Sequence, residues 1–376
     1  MLDAVGIICE YNPFHNGHAY HLNKIKEMFP NSTIILVMSG YFTQRGDISI
    51  LSKKEKTKIA LQMGIDIVVE LPFAFATQSA DIFASGAIQI LNNFKVNKVV
   101  FGSECNDIKK LKKLADIQST NKFNNLVKSY LNNGINYPTA TSKALKEISN
   151  VHIKEPNDLL AISYIKCIKR INNKIEPITI KRTNDFHSLD INNSIISATA
   201  IRDLLSKSKD ISNYVPKEVL TSNIKYICLN DYFDLIKYNI LLNNNFNNIQ
   251  TVDEGIEYRI LKNINSCKNV YELIEKVKTK RYTYNRIKRM LVHILCSFTK
   301  DEAHMCKNIS YIRLLGFNKK GQNYLSKIKK ESKVPIITKL STNNDQLNID
   351  KRVMNIYNLK SNNHDNEYKD FPIIFN

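Results

Sequence analysis

The 376-residue sequence predicts an α/β fold: a doubly wound parallel sheet followed by a mainly α-helical C-terminal domain. Two observations lead there. Short β-branched runs alternate with helical patterns through the first half, at the spacing of a parallel sheet covered on both faces. The alternation then stops near residue 206, and helical patterns joined by loops follow. The expected domains are therefore 1–206 and 207–376, and no internal repeat is evident.

The elements follow in order. "AVGII" opens the sheet and "HAYHLNKIKEMF" is the first helix. "TIILVM" (33–38), "IDIVVELP" (65–72) and "NKVVFGSE" (97–104) are further strands, separated by "LSKKEKTKIALQM" and "SADIFASGAIQILNNF". From 107 to 172 the pattern is mostly helical, with Pro156 at the start of "PNDLLAISYIKCIKRI", a position proline favours. "IEPITIKR" is a strand, "TNDFHSLDINNS" a loop, and "IISATAIRDLLSKS" a helix with a hydroxyl-rich start. In the second half "YTYNRIKRMLVHILCSF" and "KGQNYLSKIKKES" are the clearest helices.

Composition narrows the class. Hydrophobic residues at 43% and charged residues at 24% suit a globular protein with a full core. No apolar run reaches the length of about 18 residues that a membrane span needs. The opening "MLDAVGIICEYN" puts a strand where a signal peptide needs its apolar core, so a cytoplasmic location is expected. Seven cysteines, widely spaced and without a CxxC pair, are expected to pack as free thiols. The net charge is +19, with +7 in 1–206 and +12 in 207–376. Residues 276–333 alone hold 16 basic and 3 acidic residues. Such concentration points to a polyanionic partner.

The chemistry is expected in the turn "CEYNPFHNGH", between the first strand and the first helix. A helix N-terminus offers unpaired N–H groups and a partial positive charge, which suit a phosphate. Gly17 permits close approach, and His15 and His18 can each donate a hydrogen bond to a phosphate oxygen. "QRGD" at 44–47 is expected to be a loop near this site. Lys53 is expected on a solvated helix face. Asp81 and Glu104 stand at element edges, but their spacing establishes no metal ligand set, and no protein metal ligand is assigned.

"PFHNGH" resembles the HxGH signature of the nucleotidyltransferase superfamily, whose members bind ATP on a Rossmann-like sheet. A second signature of that superfamily, ISxTxIR, has its match in "ISATAIR" at 196–202. By this resemblance His15 and His18 are catalytic, and Ser197, Thr199 and Arg202 meet the ATP phosphates. More narrowly, "GIICEYNPFHNGHAYH", "VMSGYFTQRGDISILSK", "VVELPFAFATQSADIFASGAIQIL", "YIRLLGFNKKGQ" and "VPIITK" are similar to the tRNA(Met) cytidine acetate ligase family. That resemblance implies joining of acetate to ATP, then acetylation of N4 of the wobble cytidine in elongator tRNA(Met). ATP would be a co-substrate with Mg²⁺ on its phosphates, and coenzyme A would not be needed. The resemblance also implies ATP contacts from Ile7, Ile8, Cys9, Glu10, Tyr11, Asn12, Pro13, Phe14, His15, Asn16, Gly17, His18, Ala19 and Tyr20. Gly102, Asn157 and Arg182 join them, with a helix cap as the other reading of Asn157. Where the family pattern carries a glycine and an acid after Asn157, this chain has Ala161 and Ser163.

In the basic segment Lys278, Lys280, Arg281, Arg286, Lys288 and Arg289 interleave with Tyr282 and Tyr284. Cations neutralise phosphates and tyrosines stack on unpaired bases, so tRNA binding is expected of these cations and of Tyr284. Two other functions share some of these features. An adenylyltransferase making a dinucleotide cofactor has both signatures but no need of a long basic half. A non-catalytic RNA-binding protein with a degenerate nucleotide site has no need of an intact HxGH.

Overall fold

A computed structural model describes residues 3–151, 153, 155–182, 195–222, 224–243, 246–340, 344–361 and 366–376. The expected loop at 183–194 lies outside the described residues. Five strands follow the apolar runs: β1 (Ala4–Cys9), β2 (Thr33–Ser39), β3 (Ile67–Leu71), β4 (Lys98–Ser103) and β5 (Glu176–Lys181). They lie in the order β5-β4-β1-β2-β3 and are mutually parallel. The chain runs outward from β1 to β3, then crosses to β4 on the other side of β1. Between β1 and β4 the winding reverses, and their carboxyl ends frame a crevice of the kind that takes ligands in such sheets.

The period of two sorts each strand between two apolar layers. Ile35 and Val37 of β2 join one core with Ile67 and Val69 of β3, under the helices Ala80–Asn93 and Pro156–Ile171. Ile34, Leu36 and Met38 join the opposite core, under the helices Asn16–Met28, Lys53–Gln62 and Ala198–Ser206. Burial of a whole Leu or Ile is worth about 1.5–3 kcal/mol, so this sorting fixes the register strongly.

The second half is not helices and loops alone. β6 (Ile312–Asn318) pairs antiparallel with β3, and β7 (Ile336–Ile337) and β8 (Ile373–Phe375) pair parallel with β6. "IRLLGFN" is a short apolar run covered on both faces, and such a run has no alternation to separate it from a helix. Residues on both sides of position 206 therefore build one sheet. The layer containing Ile35 also takes in Ile236, Ile260, Leu273 and Leu291 from the later helices. Among the described residues no helix is long and apolar enough to cross a membrane.

Candidate active site

His15 is the N-cap of the first helix, and its Nδ1 accepts from Gly17 N at 3.0 Å. Three residues on, His18 Nδ1 accepts from His15 N at 3.3 Å, so two histidines form a capping box usually made by Ser or Thr with Glu. With both Nδ1 atoms accepting, each neutral ring carries its proton on Nε2. Burial, then the charges of Arg182 and Arg202, push His15 down to about 3. Burial, then His15 and Arg182, hold His18 well below its ordinary value. Both rings are therefore neutral donors at neutral pH. A Cβ at position 17 would lie 2.9 Å from the His15 ring and would force it to shift.

The turn before the helix is held from below. The Asn12 side chain donates to Ile48 O at 2.8 Å and accepts from Ile50 N at 2.9 Å. Lys56, buried, donates to Ser39 O and Gly40 O at 2.7 Å and to Glu10 O at 3.2 Å, tying the ends of β1 and β2 together. Ile7 and Phe14 are core residues beneath the turn, Pro13 is buried within it, and Ala19 packs against the same core. Asn16 turns toward Asn213 O, 3.0 Å away.

Above the reversal of winding lies a cavity of about 430 Å³. Ile8, Cys9, Glu10, Tyr11, Asn12, His15, Gly17, His18 and Tyr20 line it from the first turn; Gly102, Asn157 and Arg182 line it from β4, β5 and the helix at 156. Ser197, Thr199 and Arg202 enter from the second signature. Ser197 caps its helix by accepting from Ala200 N at 3.2 Å, so a second helix N-terminus meets the cavity. Arg202 donates from Nη1 to Asn12 O at 2.7 Å and from Nη2 to Thr199 Oγ1 at 3.3 Å and Asp47 at 3.2 Å. The "QRGD" loop is at the site, with Gln44, Arg45 and Asp47 lining it. Burial pushes the Cys9 thiol up to about 12, so it lines the cavity as a neutral thiol.

His21 escaped sequence reasoning, and Glu104, Asp81, Ser163 and Lys53 take roles it did not give them. Glu104 accepts from Asn157 Nδ2 at 2.5 Å and from Asp158 N at 3.0 Å, and faces Arg182 Nε at 3.6 Å. Asn157 is thus no cap: Glu155 is the N-cap, and the amide is oriented by Glu104. His21, one turn beyond His18, lines the cavity with Nε2 buried and without a hydrogen-bond partner; its spacing from His18 was the available signal. Ser163 donates to Asp81 at 2.8 Å, and Asp81 also pairs with Lys166 at 2.9 Å. Among the described residues no group of three or more His, Cys, Asp or Glu could hold a metal. Lys53 is not on a solvated face. It is 2% exposed and pairs with Glu70 at 2.8 Å and Glu367 at 2.6 Å, because the first turn of its helix faces the sheet.

The basic segment divides in two. Lys278, Lys280 and Tyr284 are exposed, and Arg281 is partly so. Arg281 pairs with Glu254 at 3.3 Å. Arg286, Lys288 and Arg289 turn inward. Arg286 lies over the Tyr282 ring at 3.9 Å and pairs with Asp253 at 3.7 Å; Lys288 pairs with Asp47; Arg289 donates to Gln44 O at 3.3 Å.

The profile of the HIGH Nucleotidyl Transferase family matches residues 2–370. A relative from Oceanobacillus iheyensis named tRNA(Met) cytidine acetate ligase is 41% identical, over 95% of this chain and 94% of its own. The crystal structure of Thermotoga maritima TmcAL (apo, form I) superposes with a TM-score of 0.91 at 30% identity, covering 99% of each chain. TmcAL bound with alpha-thio ATP gives 0.89 at 30% identity, again over 99% of each chain. With two nucleotidyltransferase signatures on one cavity and relatives matched along their length, the chain belongs to the tRNA(Met) cytidine acetate ligase family of HIGH nucleotidyl transferases.

Proposed function

We propose that this protein is a ligase that joins acetate to ATP and transfers the acetyl group to N4 of the wobble cytidine of elongator tRNA(Met), forming N4-acetylcytidine. The observation that carries the reading is the convergence of two neutral Nε2–H donors, His15 and His18, with Arg182 and Arg202 on one cavity. The name of the Oceanobacillus relative and the alpha-thio ATP bound by the Thermotoga neighbour support it.

In the first step an acetate oxygen attacks the α-phosphorus of ATP. The bond to the bridging oxygen breaks, and pyrophosphate leaves with the electron pair. Acetate is already anionic, so no general base is needed, and the histidines act as donors to the charge that develops. Ile8 through Asn12, Tyr20, Gly102, Asn157, Ser197 and Thr199 line the space for the nucleotide; Ile7, Pro13, Phe14, Asn16 and Ala19 support it. Mg²⁺ bound to the ATP phosphates would neutralise part of their charge; no protein ligand is proposed for it. In the second step cytidine N4 attacks the acetyl carbonyl carbon, the bond to AMP breaks, and N4 gives up one proton. ATP supplies the activation, so coenzyme A has no part.

Residues 1–206 form the activating domain in this reading, and 207–376 the tRNA-binding domain that also completes the sheet. Lys278, Lys280, Arg281 and Tyr284 are the RNA-facing members of the basic segment. In this reading the protein acts on its tRNA substrate in the cytoplasm. Incubation with ATP, labelled acetate and bulk tRNA, without coenzyme A, tests the whole: label on a cytidine is expected, and unlabelled RNA sinks the reading.

A further inference from the structure

The loop at 44–47 is gripped from two sides. On the cavity side Gln44 N donates to Glu10 Oε1 at 2.6 Å, and Asp47 Oδ2 accepts from Arg202 Nη2 at 3.2 Å. On the other side lies the basic helix Tyr284–Leu295: Lys288 pairs with Asp47 Oδ1, and Arg289 donates to Gln44 O. Gly46 makes the approach close. Its φ is +77°, and a Cβ there would stand 2.7 Å from the backbone of Lys288 and Arg289.

The two carboxylate oxygens of Asp47 are therefore divided, one to Arg202 and one to Lys288. Arg202 also donates to Asn12 O and Thr199 Oγ1, which fixes its plane. A carboxylate and a guanidinium left to themselves prefer two parallel hydrogen bonds. Without Lys288, Asp47 could turn both oxygens to Arg202 and draw its N–H groups away from the cavity. At 15% and 22% side-chain exposure, Lys288 and Asp47 are poorly placed to exchange each other for an RNA phosphate.

We propose that Asp47 is a positioning residue which, held by Lys288 of the basic helix, aims Arg202 at the ATP phosphates. Lys288 then serves nucleotide binding and does not neutralise tRNA phosphate. The inference rests on the reading of the cavity as an ATP site.

The test uses full-length Lys288→Met, Asp47→Asn and the double variant, with ATP binding measured by calorimetry and tRNA(Met) binding by anisotropy across a salt series. Each single change is expected to weaken ATP binding about tenfold, the scale of one charge-assisted hydrogen bond. The double variant is expected to lose no more than the worse single one, since the two residues act as one unit. Lys288→Arg should restore ATP affinity, which a purely structural loss would not predict to follow charge. The affinity of Lys288→Met for tRNA, and its salt slope, should stay at the wild-type value. Unchanged ATP affinity in Lys288→Met, additive losses, or a tRNA salt slope shallower by about 0.7–0.9 overturns the inference. Wild-type protein that binds no ATP would instead overturn the functional reading beneath it.

Discussion

His15 and His18 stack with ring centroids 3.8 Å apart, and each gives its Nδ1 to a backbone N–H of the turn that carries both. The side chains that cap the helix are thus the ones that face the cavity. Capping fixes which nitrogen holds the proton, so the fold itself aligns two Nε2–H donors before any ligand arrives. Such preorganisation is the main source of electrostatic catalysis.

Replacing His18 with Ala removes one donor and half of the capping box. Acetate-dependent ATP–pyrophosphate exchange is expected to fall by about 100-fold or more. Stability should fall by only about 1 kcal/mol, the scale of a missing cap. Exchange assays beside urea melts separate the two. Wild-type exchange in a folded variant would make His18 a cap alone.

The pH profile should lack a histidine limb. His15 sits at about 3 and His21 at about 4, with burial the leading cause of each shift. Exchange between pH 5 and 8 should therefore show no inflection near 6.5, the unperturbed histidine value. Stability has a definite sign as well. Between about 3 and 6.5 the unfolded chain binds protons that folded His15 does not, so this contribution is complete above 6.5 and declines as the pH falls toward 3. Protein that loses exchange activity with an apparent pKa of 6 to 7, while staying folded, would contradict neutral donors.

Lys53 ties β3 to the C-terminal segment through Glu70 and Glu367, beside Tyr41, whose hydroxyl donates to Glu367. Lys53→Met should leave two buried carboxylates facing each other and cost about 3–5 kcal/mol. Denaturant unfolding measures it. A loss below about 1 kcal/mol, the range of exposed ion pairs, would show that the pair meets water in solution.

The sheet was legible where its signals were local. β1 to β4 centre on short β-branched runs bounded by turn residues, and His15, Gly17 and His18 announce themselves within four positions. β6 was not, because its short apolar run, in the most basic part of the chain, has no alternation to separate it from a helix. Its partner β3 lies far away in sequence, and no local pattern encodes that pairing. Lys53 misled for the same reason: one of its carboxylates, Glu367, comes from near the C-terminus. The inward turn of Lys288 was equally hidden, since a charge run gives no sign of which members find acids elsewhere in the fold.

That division of the basic segment yields the last prediction. Lys278 and Lys280 are exposed, so they can meet an RNA backbone without breaking an interior interaction. Changing both to Ala should weaken tRNA(Met) binding and reduce the log–log salt slope by roughly 0.7 to 0.9 for each phosphate that is no longer neutralised. ATP–pyrophosphate exchange should be untouched, because neither residue reaches the 44–47 loop. Tyr284 is 37% exposed at the start of the helix that carries Lys288. Its change to Ala should cost about 1–3 kcal/mol of tRNA binding if it stacks on a base, with no change in salt slope, because stacking releases no counterions. Anisotropy at several salt concentrations, run beside the exchange assay, distinguishes the two. A Lys278/Lys280 variant with wild-type affinity and slope would remove these lysines from the RNA surface and leave the charge of the segment serving the interior of the protein alone.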